Sequence, residues 1–436
     1  MRILLAGDLH LGRSSSSVRG DCAGHRAADV WQRLVDLAIE QGIGAVILSG
    51  DLVDQSNRYF EATGPLANGL QRLAAQEIST IAVAGNHDYH VLPGLAQQYA
   101  DEKHRFTLLG QGGNWECHPV VRGGQTVFRV VGWSFPAESH DRDPLDAFPA
   151  NLPDDLPVLG LVHGDLDARG SRYAPLSGAA LRAKPVAGWL LGHIHAPHCD
   201  SQAGAPWLLY PGSPQALDPG EQGAHGVWVA EVTPTVITPP VQVALSSVRY
   251  EGVTVNADSV ADAQELRVRL RDRLRAEAET ARQAGGESLR QLVVDLVIEG
   301  AAALAAREVD QVMEELREAR ELDTAVAVEV RKTDNRVVPP LDLEGLARGR
   351  ALPGILARLV LDLEAGRNSE AVERVRARAR RAVNDLTFMS QVREGDSEST
   401  FQLSDDALRQ SLIKAARKLL GSLEPTGAAD AGGGLP

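Results

Sequence analysis

The sequence predicts an α/β protein: a large first half built on parallel strands, a smaller α/β unit after about residue 240, and helices at the end. Three observations point there. Five short apolar runs each end in a cluster of polar residues. Segments of helical period separate the early runs. Beyond residue 240 the strand–helix alternation starts again, with longer and more charged helices.

The five runs are "ILLAG", "AVILSG", "TIAVAG", "PVLGLV" and "GWLLG". They are short, rich in Ile, Leu and Val, and read as buried strands. The first delivers Asp8 and His10, the second Asp51, the third Asn86, His87 and Asp88. The fourth delivers His163, and the fifth His193 and His195. In "RAADVWQRLVDLAIEQG", Val30, Leu34, Leu37 and Ala38 recur at helical spacing and Gly42 closes the helix. "GPLANGLQRLAAQ" repeats the plan. Such alternation implies parallel strands, and sites in parallel sheets gather beyond the strands' carboxyl ends. All five clusters are therefore expected at one edge. Gly7, Gly50, Gly85 and Gly192 precede four of them and permit the sharp turn.

After residue 240, "SVRYEGVTVN", "LRQLVVDLVIEG" and "TAVAVEVRK" read as strands. "DSVADAQELRVRLRDRLRAEAETARQ", capped by Asp258 or Ser259, and "AREVDQVMEELREAR" read as helices. In "SEAVERVRARARRAVNDL", Val372, Val375, Ala379 and Val383 share one side. Arg374, Arg376, Arg378, Arg380 and Arg381 cover much of the rest. That face suits phosphates or a partner, or simply water with internal pairs to Glu370 and Glu373. "SDDALRQSLIKAARKLLGSL" is a further amphipathic helix, capped by Ser404, with Leu408, Leu412, Ala415, Ala416, Leu419 and Leu420 as its stripe. The tail "EPTGAADAGGGLP" is poor in bulky residues and is expected to be disordered. The boundaries expected are 1–240, 241–340, 341–422 and 423–436.

With 436 residues, 44% hydrophobic and 23% charged, the composition is that of a globular protein. A net charge of -14 counts against a protein that coats nucleic acid by itself, though not against one that takes it as a substrate through a local basic patch or a partner. Three cysteines with no CxxC pair exclude a disulfide framework and suit a reducing cytoplasm. The opening "MRILLAGDLH" does not read as a signal peptide, and no apolar segment reaches the roughly 18 residues of a membrane span. No GxxxxGK[ST] element is present, so any ATP hydrolysis falls to a partner.

Asp8, His10, Asp51, Asn86, His163, His193 and His195 combine hard oxygens with imidazoles, which suits Mn²⁺, Fe²⁺ or Zn²⁺ better than Ca²⁺. Seven donors are too many for one ion with an open position. They suit two ions sharing a bridging carboxylate, about 3.5–4 Å apart. A lone Asp after a strand is usually a cap or turn residue; five such clusters in order are not. His25, His90, His104, His118, His140, His198 and His225 lack this placement, although His90 and His198 are candidates for supporting groups.

"DLH", "GDLVD", "GNHD", "HGD" and "GHIH" resemble the signature motifs of the calcineurin-like metallophosphoesterases, over about the first half of the chain. The resemblance implies a four-layer αββα sandwich, with "TVFRVVGW", "PWLLYPG" and "HGVWVAEV" as material for its second sheet. It implies one ion on Asp8, His10, Asp51 and His195, and another on Asp51, Asn86, His163 and His193. His87 becomes the general acid or charge-neutralising group, oriented by Asp88. A hydroxide generated by two divalent ions, most readily Mn²⁺, attacks phosphorus in line with the leaving oxygen. The α/β unit after this half resembles the capping domain of DNA-repair nucleases of the SbcD type, the counterparts of the meiotic recombination 11 nuclease. "RYAPLS", "WLLGHIHAPH", "YPGSPQALDPGEQGAHGVW" and "LPGILARLVLDL" resemble the bacterial YhaO-like branch most. This implies a DNA exonuclease or endonuclease in double-strand break repair or end processing. Its C-terminal helices would dock on a coiled-coil ATPase of the SbcC type, and a homodimer is compatible. The alternatives are a phosphatase or small-molecule phosphodiesterase of the same fold, or a scaffold subunit regulating an ATPase. Asp54 stands where some relatives have histidine; it reads as a structural or capping residue ahead of a group that binds water on the DNA side.

Overall fold

The computed structural model describes residues 1–19, 24–54, 59–319, 325–338, 340, 342–383 and 405–423. Ser404, the expected cap, Cys22 and the tail from 424 lie outside the described residues. Two compact units emerge. One comprises residues 1–254, 268–297 and 313–334. The other comprises 255–267, 298–312 and, among described residues, those from 335 onward.

The first unit begins with β1 (Arg2–Ala6), α1 (Ala27–Glu40), β2 (Ala45–Leu48), α2 (Tyr59–Ala74), β3 (Ser79–Ala82), α3 (Leu92–Gln98) and β4 (Phe106–Leu108). β1 to β4 pair in parallel, as the helical crossovers require. β5 (Trp115–Arg122), β6 (Gln125–Trp133), β7 (Val158–His163), α4 (Gly178–Arg182), β8 (Gly188–Gly192), β9 (His198–Asp200) and β10 (Trp207–Tyr210) follow, then β11 (Gly226–Glu231) and β12 (Val241–Ala244). One six-stranded sheet has the order β12-β11-β1-β2-β3-β4, the other β5-β6-β7-β8-β10-β9. The five motif strands are thus divided: three lie in the first sheet and two, β7 and β8, in the second.

Strand period explains the layers. Ile3, Leu5, Ala45, Ile47 and Ile81 point from the first sheet onto Phe128, Val130, Leu159, Leu161, Leu190 and Leu209 of the second. Their neighbours Leu4, Ala6, Val46, Leu48 and Ala82 face the other way, onto Val30, Trp31 and Leu34 of α1 and Leu66, Leu70 and Leu73 of α2. Trp133, Trp189, Leu191 and Leu208 do the same on the far side of the second sheet, under Leu181 of α4. The result is the four-layer αββα sandwich. Each fully buried Leu or Ile contributes roughly 1.5–3 kcal/mol. Gly42, in the left-handed region at φ 61°, ends α1 as expected.

One strand is placed differently from the expectation. "HGVWVAEV" becomes β11, which pairs antiparallel with β1 in the first sheet rather than joining the second. Its Trp228 and Ala230 still face the inter-sheet core, so its apolar pattern satisfied either sheet. "TVFRVVGW" and "PWLLYPG" do build the second sheet, as β6 and β10.

Beyond these, β13 (Val248–Asn256), β14 (Gln291–Ala301) and β15 (Ala327–Val338) form a three-stranded sheet accompanied by α5 (Ala263–Gly285) and α6 (Ala306–Glu318). α5 starts later than its expected cap. Ser259 takes a left-handed turn at φ 62°, and Asp258 accepts a hydrogen bond from the Ala301 amide at 2.6 Å. Asp262 then caps the helix by accepting from Glu265 N at 2.8 Å.

In the second unit, α7 (Leu343–Ala347), α8 (Leu352–Glu364), α9 (Glu370–Val383) and α10 (Asp405–Leu423) pack together. Ala357 and Val360 of α8 meet Leu343, Ala416 and Leu420. Val372 and Val375 of α9 pack on Leu359, Leu363, Leu412 and Ile413, leaving Arg374, Arg378, Arg380 and Arg381 exposed. Arg374 pairs loosely with Glu370 at 3.9 Å. Leu408, Ala416 and Leu420 form the buried stripe of α10, while Ala415 and Leu419 point outward. No helix among the described residues is long and apolar enough to cross a membrane.

Candidate metal centre

The ends of β1, β2, β3, β7 and β8 bring the motif residues together. The chain turns there through conformations that side chains rarely adopt: Asp8, His10, Asp51 and His193 all have positive φ, from 45° to 97°. Strain of this kind clusters at functional sites because the surrounding structure must hold it. The fit leaves no room for larger residues at two glycines. A Cβ on Gly85 would stand 2.2 Å from Asp51 Oδ1, and one on Gly192 would stand 2.2 Å from Ser49 O.

Carboxylates and backbone amides lock the loops to one another. Asp8 Oδ1 accepts a hydrogen bond from His193 N at 3.0 Å, and Asp51 Oδ1 accepts one from His87 N at 2.9 Å. Asp88 accepts from Leu52 N at 2.7 Å and Gly85 N at 2.8 Å. Asp88 therefore fixes the turn that carries His87 rather than facing the His87 ring. The carboxylate that faces the ring is Asp54, with Oδ1 3.7 Å from His87 Nδ1 and 3.8 Å from His10 Nδ1. The placement of Asp54 is thus within the centre, where the sequence suggested a structural or capping residue.

Donor atoms collect in three overlapping clusters, Asp8/His10/His195, His10/Asp54/His87 and Asp8/Asp51/His163, and the first and last of these seed two neighbouring groups. In one, His10 Nε2 and His195 Nε2 are 3.1 Å apart, and Asp8 lies within the same cluster. In the other, His163 Nε2 is 3.0 Å from Asn86 Oδ1 and 3.4 Å from Asp51 Oδ2, while His193 Nδ1 is 3.2 Å from Asn86 Oδ1. Asp51 joins the two: its Oδ2 is also 4.0 Å from His10 Nε2. His163 Nδ1 is committed to the Ser49 carbonyl at 2.9 Å, which leaves Nε2 as the lone pair facing the cluster. The Nδ1 atoms of His10 and His87 are buried without a hydrogen-bond partner. Ring nitrogens and an amide oxygen that converge on the Asp8 and Asp51 carboxylates are the features a divalent cation satisfies. The residues therefore fit a pair of ions.

Electrostatics agree. Burial raises and the surrounding histidines lower the Asp51 carboxyl, and the histidines prevail, holding it well below its ordinary range. Burial opposes charge on His163, but Asp51 and Asp8 push its pKa up to about 9. Burial and the neighbouring His163 lower His193 to about 4. Burial also holds His87 below its usual value, against the pull of Asp51. Burial and Asp51 raise Asp88 to about 7.

Three supporting groups were not singled out from sequence. Glu221 accepts from His195 Nδ1 at 2.8 Å, Asp165 Oδ1 lies 3.3 Å from His193 Nε2, and the Tyr173 ring sits 4.8 Å from that of His193. Their signals were present in the quoted stretches "HGD", "RYAPLS" and "DPGEQ", but nothing local tied them to particular histidines. His90 and His198, the expected supporters, are exposed.

Part of the chain is similar to known proteins. Residues 1–197 fit the sequence profile of the calcineurin-like phosphoesterases. YhaO of Bacillus subtilis, described as an uncharacterized metallophosphoesterase, is 26% identical over 205 residues, 46% of this chain and 48% of that protein. The DNA double-strand break repair protein Mre11 of Methanopyrus kandleri is 24% identical over 254 residues, 52% of each. The chain spans about half the length of these curated relatives. Among solved structures, a dimetal phosphatase from Danio rerio aligns with 53% of this chain and 92% of its own, at 14% identity and a TM-score of 0.34. Residues 1–197 thus belong to the calcineurin-like phosphoesterase family, and the chain carries a metallophosphoesterase domain.

Proposed function

We propose that the chain is a metal-dependent DNA nuclease that cleaves phosphodiester bonds in double-strand break repair or end processing, alongside a coiled-coil ATPase of the SbcC type in the cytoplasm. The observation that carries the catalytic part is the Asp51 carboxylate, whose Oδ2 lies 3.4 Å from His163 Nε2 and 4.0 Å from His10 Nε2. In this reading Asp8, His10, Asp51 and His195 hold one ion, and Asp51, Asn86, His163 and His193 hold the other. Two divalent ions, Mn²⁺ the first candidate, supply an activated water and screen the phosphoryl charge.

The protein's own groups do the remaining work. His87 is 38% exposed at the mouth of the centre, with its ring edge against His10 at 5.0 Å. In this reading it meets a leaving oxygen and gives it a proton. Burial holds its pKa below the ordinary histidine value in the free protein, against the pull of Asp51. An arriving phosphate favours its charged form, so the proton is gained with the substrate. Asp54 Oδ1 faces the same ring, 3.7 Å from Nδ1. The nucleic-acid substrate is supported by the Mre11 relatives, named for DNA double-strand break repair, and by the α/β unit and helices beyond the phosphoesterase domain.

The test is an assay with Mn²⁺ on end-labelled single- and double-stranded DNA, with a phosphomonoester alongside, using wild-type and His87→Ala protein. DNA degradation by wild-type alone supports the nuclease. Hydrolysis confined to the phosphomonoester makes the protein a phosphatase. Inactivity on both, alone and with the ATPase, leaves a scaffold.

A further inference from the structure

The paired histidines of "GHIH" present opposite ring nitrogens to the centre. His195 turns Nε2 towards His10 Nε2, at 3.1 Å, whereas His193 turns Nδ1 towards Asn86 Oδ1, at 3.2 Å. Two residues apart on one loop, chemically identical side chains are used in reverse. The same ring cannot by itself favour opposite nitrogens at two neighbouring positions, so something outside each ring must impose the difference.

In both cases the far nitrogen meets a carboxylate. Glu221 Oε1 accepts from His195 Nδ1 at 2.8 Å. Its other oxygen is itself fixed, accepting from Ser213 Oγ at 2.6 Å and Leu217 N at 2.8 Å, and the residue is only 7% exposed. The segment is tied back to the histidine loop by Ser213 N, which donates to His195 O at 3.1 Å. On the other side, Asp165 Oδ1 lies 3.3 Å from His193 Nε2. Asp165 Oδ2 accepts from Ser171 Oγ, and Asp165 N donates to Tyr173 O at 2.9 Å. Each carboxylate therefore spends one oxygen on a histidine and the other on holding itself still.

We propose that Glu221 and Asp165 are positioning residues that select the tautomer and ring orientation of His195 and His193 respectively, and so tune the two ion sites separately. The inference rests on the two-ion reading above. A carboxylate that takes the N–H of an imidazole raises the basicity of the opposite nitrogen and fixes its direction. Glu221 acts on the site built with Asp8 and His10, Asp165 on the site built with Asn86 and His163.

The test is calorimetric titration of the full chain with Mn²⁺ alone, at fixed pH, for wild-type, Glu221→Ala, Glu221→Gln, His195→Ala and the Glu221→Ala/His195→Ala double variant, with the matching Asp165 and His193 set. Wild-type should take up two ions. Glu221→Ala should weaken one binding step by roughly 10–100-fold and leave the other within about threefold. Glu221→Gln keeps an acceptor for the Nδ1 proton and should lose less; it also serves if the alanine variant fails to fold. In the His195→Ala background the Glu221 substitution should have no further effect, because its only route to the ion is already gone. Unchanged affinities, equal weakening of both steps, or a full effect persisting without His195 would each overturn the inference and leave Glu221 a loop brace. Fewer than two ions on wild-type protein would overturn the two-ion reading itself.

Discussion

The two halves of the centre are held by different means. His163 ends a central strand, is completely buried, and has its ring fixed by a backbone carbonyl, Ser49 O at 2.9 Å. His195 lies on a loop past β8, has a side chain 27% exposed, and depends on the carboxylate of Glu221, 26 positions later in the chain. The first arrangement follows once the two sheets meet, since the backbone cannot decline to offer a carbonyl. The second depends on one particular side chain. The half fixed by backbone should tolerate change in its surroundings, and the half fixed by side chains should be the one that substitutions weaken.

The sharpest way to break this comparison is at the residue common to both halves. Asp51→Asn removes charge from both groups of donors, and hydrolysis should fall roughly 10³-fold with loss of both ions. A variant that loses one ion cleanly would show that Asp51 does not bridge. If His87 meets the substrate as proposed, His87→Ala should cost about 10²–10⁴-fold in kcat while both ions stay bound; loss of metal in this variant would make it a ligand.

The metal-free protein offers a comparison by pH. The His163 pKa rises from 6.5 to about 9 on folding. The stability it contributes is therefore complete below pH 6.5 and is lost as pH rises through 9, a swing of about 3 kcal/mol. Asp88, raised to about 7, acts in the same direction at lower pH. Chelated protein should melt lower at pH 9.5 than at pH 6, and Mn²⁺ should restore more stability at the higher pH, where it displaces no proton from His163. Equal melting temperatures in chelator would show that the buried histidine carries no charge. The smallest expected effect is at Gly192. A methyl group there meets Ser49 O at 2.2 Å and His163 Nδ1 at 2.4 Å. Gly192→Ala should destabilise by about 1–3 kcal/mol, whereas Gly220→Ala, with open space around it, should leave the melting temperature alone.

The same contrast explains what could be read from the sequence. The strands, their parallel pairing and the convergence of Asp8, Asp51, Asn86, His163 and His195 follow from local pattern. Short apolar runs form buried strands, and residues after parallel strands collect at one edge. Local pattern does not say how many sheets share the strands. Nor did it place β11, whose alternating Val227, Trp228 and Val229 would suit either sheet. The supporting carboxylates were illegible for a related reason. Glu221 and Asp165 look like turn residues among other turn residues, and only the folded chain brings them to His195 and His193. Asp54 was visible in "GDLVD", but its bearing on His87 depends on two loops from different strands meeting.

The most direct test of the centre is electron paramagnetic resonance of the full chain loaded with two equivalents of Mn²⁺, before and after Asp51→Asn. A shared carboxylate predicts an exchange-coupled pair in the wild-type spectrum, lost in the variant. A wild-type spectrum of isolated six-line Mn²⁺ would contradict the bridge and with it the two-ion centre.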